Sequence, residues 1–172
     1  MRVESPFRVK LREIPEEGTS RTFDLAGDWA KGSLAGTEAT ADTLSAKVTL
    51  HRSQGDVYLE GRLVGTLSVA CSRCLNPAGV EVAHDMTVTF VPAGREETAE
   101  DVADVVPYTD DEIDVEPFLR EELLLQLPIA PLCRELCKGL CPKCGTDLNQ
   151  TTCSCPPDPK DDRWAALKDI KV

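Results

Sequence analysis

Three stretches of the chain alternate apolar and polar residues with a period of two. Leu44, Ala46, Val48 and Leu50 fall on one side, with Ser45, Lys47, Thr49 and His51 opposite. After a turn at Ser53 to Asp56 the pattern resumes through Val57, Leu59, Gly61, Leu63, Gly65, Leu67 and Val69. A third run holds Val80, Val82, His84, Met86, Val88 and Phe90. Successive side chains of a strand point to opposite faces, so these runs predict half-buried antiparallel strands. Gly61 and Gly65 predict a bend or bulge.

The flanking segments are less regular. Residues 3–11 interleave Val3, Phe7, Val9 and Leu11 with charge and predict a strand. Residues 15–22 form a polar link, a short segment from Phe23 ends in a helical turn around Trp29, and residues 32–42 form a loop. In residues 94–122 the first half is loop-like. Glu116-Pro117 then starts a helix, Leu119, Leu123, Leu124 and Leu127 follow at helical spacing, and Pro128 stops it. Beyond Pro131 there are too few large apolar residues for an independent core. Pro156, Pro157 and Pro159 make a stiff spacer before a last helix over residues 161–170, where Trp164 and Leu167 form a docking face. The expected fold is α+β: an antiparallel, partly closed β-sheet, one packed Leu-rich helix and a C-terminal cysteine-rich zinc ribbon. The expected domains are a sheet-plus-helix unit over 1–130 and the ribbon with its short helix over 131–172.

A length of 172 residues with 41% apolar composition excludes global disorder. No apolar run reaches the length of a spanning helix, and the N-terminal residues lack the apolar core of a secretory signal, so a cytoplasmic location without membrane contact is expected. The net charge is −11. That total argues against a surface that binds polyanions broadly, because phosphate contact needs Lys and Arg. The acid is local, however: residues 94–122 carry 12 acidic and two basic residues, while residues 1–12 carry four basic and one acidic. Arg2, Arg8, Lys10 and Arg12 are therefore the nucleic-acid candidates, beside the blander reading of a charged edge strand. Asp110, Asp111 and Glu112 are the candidates for docking a basic partner.

The eight cysteines change the picture most. They form four pairs: Cys71/Cys74, Cys133/Cys137, Cys141/Cys144 and Cys153/Cys155. In a reducing compartment disulfides are disfavoured, and four thiolates close a tetrahedral zinc shell. In Cys141-Pro-Lys-Cys144-Gly145 the proline sets a turn, and the glycine permits the positive φ that folds N–H groups toward the sulfurs. The favoured partition puts Cys71, Cys74, Cys133 and Cys137 in one site and Cys141, Cys144, Cys153 and Cys155 in a second. The tight Cys153-x-Cys155 spacing leaves open that one of these two does not ligate. The rival is a single site drawn from the six C-terminal cysteines, and iron in place of zinc stays open. A catalytic metal would want an open position, and Cys-x-x-Cys redox chemistry an exposed thiol in a βαβ setting. The only histidines, His51 and His84, sit in alternating strands and read as strand-face residues. The many carboxylate pairs read as a solvated acidic face, and no phosphate-binding glycine loop or Ser/His/Asp set can be assembled.

Several motifs in order carry a resemblance: Cys71-Ser-Arg-Cys74-Leu; Glu112 through Pro128; Cys133-x3-Cys137-Lys-Gly-Leu-Cys141-Pro-Lys-Cys144-Gly-Thr-Asp-Leu-Asn149; and Arg163-Trp-Ala-Ala-Leu-Lys168. Together they resemble the bacterial YceD family, the large ribosomal RNA subunit accumulation proteins, over roughly residues 45–170. The resemblance implies a small cytosolic or organellar protein needed for normal accumulation of the large-subunit (23S) ribosomal RNA, encoded beside a large-subunit ribosomal protein, with no established enzymatic activity. The chain is thus expected to be a non-catalytic, zinc-stabilised ribosome-biogenesis factor whose partner is that RNA, a basic large-subunit ribosomal protein, or both, with no small-molecule substrate. The rival classes are a zinc-dependent nuclease or thiol-redox enzyme, and an acidic adaptor that docks a basic ribosomal protein.

Overall fold

The computed structural model describes residues 5–95 and 104–156. The last helix expected over 161–170, and Arg2, lie outside these residues. In chain order the elements are β1 (Arg8–Lys10), a 3-10 turn (Leu11–Glu13), β2 (Thr19–Asp24), α1 (Asp28–Ser33), β3 (Thr40–Ser53), β4 (Asp56–Ala70), β5 (Pro77–Pro92), β6 (Val105–Tyr108), β7 (Glu112–Asp114) and α2 (Glu116–Leu125). A five-stranded sheet runs β2-β3-β4-β5-β6, and β1 pairs with β7 in a separate two-stranded ladder.

The long strands are where the alternation placed them. Leu44, Ala46, Val48 and Leu50 on β3, Val57, Leu59, Leu63 and Leu67 on β4, and Val82, Met86, Val88 and Phe90 on β5 are all buried. The β3–β4 hairpin turns at Gln54-Gly55, both with positive φ, as a two-residue hairpin loop requires. The irregularity expected near the glycines is a register shift in β3 between Ala41 and Thr43, beside the Leu44–Gly65 pair. Gly61 and Gly65 leave no space for a side chain: a Cβ at Gly61 would lie 2.8 Å from Val48 Cγ1, and one at Gly65 would strike the Thr43 carbonyl. The strands therefore approach more closely at these two positions than any larger residue would permit.

Four expectations need correction. Residues 19–22 of the expected polar link, with Phe23 and Asp24 of the next segment, form β2, hydrogen-bonded to β3 from Thr19–Leu50 to Asp24–Ser45. An edge strand whose outward residues are Ser20, Thr22 and Asp24 and whose inner face offers Thr19 and Arg21 carries almost no alternation signal; only Phe23 is buried. The sheet is mixed rather than antiparallel, because β6 lies parallel to β5, with Thr89 opposite Val105. Among the described residues no ladder joins β2 to β6, so the sheet is partly open. The C-terminal segment holds no regular strands there either, only one antiparallel bridge between Leu140 and Asp147, so it is a pair of cysteine loops rather than a stranded ribbon. On α2, finally, the buried residues are Phe118, Leu119 and Leu123, whereas Leu124 is 36% exposed. A ten-residue helix docked by a narrow stripe turns one of two adjacent leucines outward.

Pro117 starts α2 as expected, and the Asp114 carboxylate accepts the Glu116 N–H at 3.0 Å. The helix packs its stripe against the buried sheet face, together with Val9, Leu11 and Ile14 from the N-terminal segment and Ile113 from β7. His84 on β5 meets Glu122 on α2 at 2.7 Å, a polar clasp at the rim of this core. Phe7 stacks on Phe23 with ring centroids 5.3 Å apart and leans on Trp29 at 5.8 Å. A smaller apolar cluster around Val69, Ala78, Cys71, Cys74 and Cys137 occupies the end of the sheet where β4 turns into β5.

Candidate metal centres

The β4–β5 connection is Cys71-Ser-Arg-Cys74-Leu-Asn76. Its ends are tied by the Cys71 N–H donating to the Asn76 carbonyl at 2.9 Å, and Leu75 takes positive φ to close the turn. Both cysteines are buried. The chain leaving α2 is brought to this turn by Ser72, whose N–H and hydroxyl both donate to the Pro131 carbonyl, at 2.8 and 3.0 Å. Cys133 and Cys137 follow at once. The Cys74 and Cys133 sulfurs are 3.5 Å apart, those of Cys71 and Cys137 3.8 Å. Gly139 takes positive φ directly after this loop, and the Leu140 N–H donates to the Arg73 carbonyl at 3.1 Å. Arg73 in turn donates to the Cys137 carbonyl at 2.8 Å. Two segments distant in sequence thus meet around four sulfurs.

The second cluster is local. Cys141-Pro-Lys-Cys144-Gly145 folds as a knuckle, with the Gly145 N–H donating to the Cys141 carbonyl and the Cys141 N–H to the Thr146 carbonyl, at 2.9 and 2.8 Å. Cys153 and Cys155 return to it along an irregular segment whose end is held by Lys143 Nζ donating to the Pro156 carbonyl at 2.6 Å. Cys144 is exposed, and Cys153 and Cys155 are half-buried.

In each cluster all four sulfurs lie within 4.8 Å of one another, and the grouping matches the favoured partition, with both Cys153 and Cys155 included. Four thiolates at about 2.3 Å from a common ion stand about 3.8 Å apart in a tetrahedron. The recorded S···S separations suit that arrangement. Both clusters could therefore hold a metal ion.

The electrostatics point the same way. The N–H of Arg73 and then that of Cys133 pull the Cys71 thiol down to about 6, against the burial that raises it. Its neighbour Cys133 is pushed up to about 12, first by its contact with Cys74 and then by burial. In the second cluster the Thr146 hydroxyl and N–H draw Cys144 down to about 6, while Cys155 is pushed up to about 12 by the facing Cys144. Burial alone would raise Cys137, but the Gly139 N–H and the Asn149 amide outweigh it. Close thiols cannot all ionise without a cation, so they divide into proton holders and thiolates.

Two residues with no role in the sequence reading tie the clusters together. Asn149 donates to the Cys137 sulfur at 3.5 Å and accepts the Lys138 N–H at 2.7 Å. Asp147 accepts from Asn149 Nδ2 at 2.7 Å and, across the loop, from Asn76 at 3.0 Å. These bonds also hold the Asp147 carboxyl below its usual range, with the Asn149 N–H the largest cause. The short Asp-x-Asn spacing was visible as part of the motif. Its link to Cys137 was not, because that link forms only when the second loop folds back on the first.

The other candidates are rearranged. Arg8 and Lys10 lie on β1, directly opposite Asp114 and Glu112 on β7. Arg8 donates to Glu112 at 2.9 Å and approaches Asp114 at 3.6 Å. Arg12, Lys10 and Arg52 share a shallow groove with Asp110, Asp111 and Glu112. The basic and acidic candidates thus form one mixed patch, not two surfaces of single sign. His51 stacks on Tyr58 across the β3–β4 ladder at 5.0 Å and is remote from both clusters in the fold, as expected of a strand-face residue.

The fold and its two tetrathiol clusters define a class: an α+β protein in which cysteine loops at one sheet end close two potential metal centres. A family model described as large ribosomal RNA subunit accumulation protein YceD matches residues 59–171, so the chain belongs to that family. A maize protein named large ribosomal RNA subunit accumulation protein YCED homolog 1, chloroplastic, is 27% identical over 171 residues, covering 82% of this chain and 58% of its own. An uncharacterized protein of Mycobacterium leprae is 33% identical over 117 residues, covering 67% and 53% of the two chains. One from Mycobacterium tuberculosis is 35% identical over 94 residues, covering 54% and 45%. The chain spans about half the length of these curated relatives. No solved structure matches it. No helix among the described residues is long and apolar enough to cross a membrane.

Proposed function

We propose that this protein is a non-catalytic cytoplasmic factor that supports accumulation of the large-subunit ribosomal RNA, and that its two cysteine clusters hold structural zinc. The role in RNA accumulation is taken from the names of the family and its plant relatives. The observation that carries the non-catalytic part is the donor set. Each cluster supplies four thiols and no histidine or carboxylate. Zinc in such a shell is saturated and acts on folding, whereas hydrolytic zinc keeps a position for water. Cys71, Cys74, Cys133 and Cys137 would hold one ion and Cys141, Cys144, Cys153 and Cys155 the other. When bound, each ion supplies cross-linking and offsets thiolate charge. Iron fits the same donors; the colour of a ferric tetrathiolate separates it from zinc.

Elemental analysis of protein purified without chelator should return about two zinc ions per chain. Depleting the protein in its host should lower large-subunit relative to small-subunit ribosomal RNA, and the wild-type chain should restore it. A metal-free, fully folded protein would sink the zinc reading; an unchanged RNA ratio would sink the functional one. A second reading, an adaptor for a basic ribosomal protein, is favoured by the charge of −11 and by the pairing of Arg8 with Glu112, which engages one of the basic residues that phosphate contact would need.

A further inference from the structure

The exposed large apolar residues are not scattered. Of the seven among the described residues, Leu124, Leu125, Ile129, Leu132 and Leu136 fall within 13 residues of chain, from the end of α2 to the second cysteine pair. Leu75 belongs to the same end, because its turn carries Cys74, in contact with Cys133. Leu125 is 70% exposed and Ile129 fully so. Clustered apolar exposure of this kind marks an interaction surface rather than ordinary surface composition.

The outer side of α2 shapes this surface. Glu116, Pro117, Arg120, Glu121, Leu124 and Leu125 line a shallow groove of about 470 Å³. Glu116 and Glu121 have no salt-bridge partner among the described residues. The other acids nearby are already committed: Glu112 and Asp114 to Arg8, and Glu122 to His84. Glu116 and Glu121, with Arg120 between them, thus form a net acidic rim beside the exposed leucines, whereas Asp110, Asp111 and Glu112 share their groove with Lys10, Arg12 and Arg52, which offset their charge.

We propose that the outer face of α2, continued by Ile129, docks a basic amphipathic helix of a partner protein. Its Leu or Ile residues would pack along Leu124, Leu125 and Ile129, with Lys or Arg set against Glu116 and Glu121. Charge complementarity selects this occupant. Nucleic acid would meet an acidic rim and gain no apolar burial, whereas a helix laid in a groove uses both features. The inference rests on the reading of the chain as a binding factor, and it names the surface and the partner's chemistry.

The probe is a labelled synthetic 18-residue peptide of Lys and Leu, with leucines at helical spacing, measured by fluorescence anisotropy against the full chain. A control peptide of the same composition has its leucines scrambled around the helix. The helical peptide should bind at least about tenfold tighter than the scrambled one, and Leu125→Ser with Ile129→Ser should abolish that advantage. Glu116→Gln with Glu121→Gln should weaken binding about threefold and flatten its salt dependence. Asp110→Asn with Asp111→Asn should change nothing. Five of the six substituted residues are exposed and Glu116 is half-buried, and circular dichroism checks that each variant is folded. Equal binding of both peptides, or equal weakening by the Asp110/Asp111 pair, would reduce the effect to bulk charge and overturn the proposal. So would self-association that Leu125→Ser removes, which would assign the face to a second copy, or binding of a polyuridine RNA at the same residues. Peptide binding with no change in ribosomal RNA on depletion would leave the surface standing and remove the ribosomal reading alone.

Discussion

The two cysteine clusters share one chemistry and differ in what they join. The first gathers a β-hairpin turn and the chain leaving α2, with Cys74 and Cys133 59 positions apart in sequence and Cys71 and Cys137 66 apart. Three of its four cysteines are buried, and it continues the apolar cluster at the end of the sheet. The second closes within 15 residues, Cys141 to Cys155, and keeps Cys144 in solvent. A cross-link over a long loop removes more freedom from the unfolded chain than one over a short loop. The first cluster is therefore a tertiary strut and the second an organiser of its own loop.

The sharpest way to break this contrast is to remove one ligand from each. Cys71→Ser and Cys137→Ser should resemble each other. Each should lose one metal equivalent and lower global stability by about 3 kcal/mol or more, because metal binding energy is part of folding energy and the site is buried. Cys144→Ser should lose the other equivalent, shift global unfolding by no more than about 1 kcal/mol, and open only the C-terminal loops to protease. Elemental analysis, urea melts and mapped proteolysis read all three. If Cys71→Ser keeps both metals while Cys137→Ser loses the same ion as Cys144→Ser, the six C-terminal cysteines form their own site and the strut is imaginary.

The two loop glycines sharpen the contrast at smaller scale. Gly139 and Gly145 both hold positive φ, at 74° and 72°. A Cβ on Gly139 would lie 3.0 Å from the Arg73 carbonyl, in the hydrogen-bonded seam that closes the first cluster, whereas one on Gly145 meets nothing within 4 Å. Gly145→Ala should then cost only the left-handed backbone penalty of about 1 kcal/mol. Gly139→Ala adds the crowding and should cost about 2 kcal/mol, measured by chemical denaturation. Equal losses would mean that the Arg73 carbonyl yields freely.

The smallest effect is an order of events on acidification. The ordinary thiol value is 9.0, and Cys71 and Cys144 are drawn down to about 6. A lowered value means that the ionised form is favoured in the fold. Its contribution is present above the ordinary range and is lost as pH falls through about 6. Metal affinity should fall with pH and fall more steeply below about 6, where these two thiols join the others in taking up protons. The exposed cluster should release its ion first, seen with a chromogenic zinc indicator on wild type and on Cys144→Ser. Simultaneous release would show that the burial of the first cluster gives no protection.

Much of this architecture was legible from local pattern. Side-chain period two placed β3, β4 and β5, since an uninterrupted one-sided core leaves its alternation in the chain. Glu116-Pro117 and Pro128 bracketed α2, because proline acts on its own neighbours and needs no tertiary partner. The pairing of cysteines by short spacing was equally local, and for the second cluster spacing nearly sufficed. Partners that meet through space left weaker marks. β2 is an edge strand defined by its bonds to β3, and its Ser, Thr, Arg and Asp residues look like a linker. The parallel placement of β6 is set by a crossover from β5 that no periodicity encodes.

The functional surfaces divide along the same line. The chain alone supplied eight cysteines in four pairs and a strongly acidic middle. Only the fold brought β1 against β7, so that Arg8 and Glu112 cancel each other as exposed charges. Only the docking angle of α2 decided that Leu123 is buried while Leu124 and Leu125 face outward. The physical reason is range. Backbone preference, turn chemistry and ligand spacing act over a few residues and are written directly in the sequence. Which charges neutralise, which apolar face remains uncovered and which thiols converge depend on contacts between segments tens of residues apart, and these exist only once the sheet has formed.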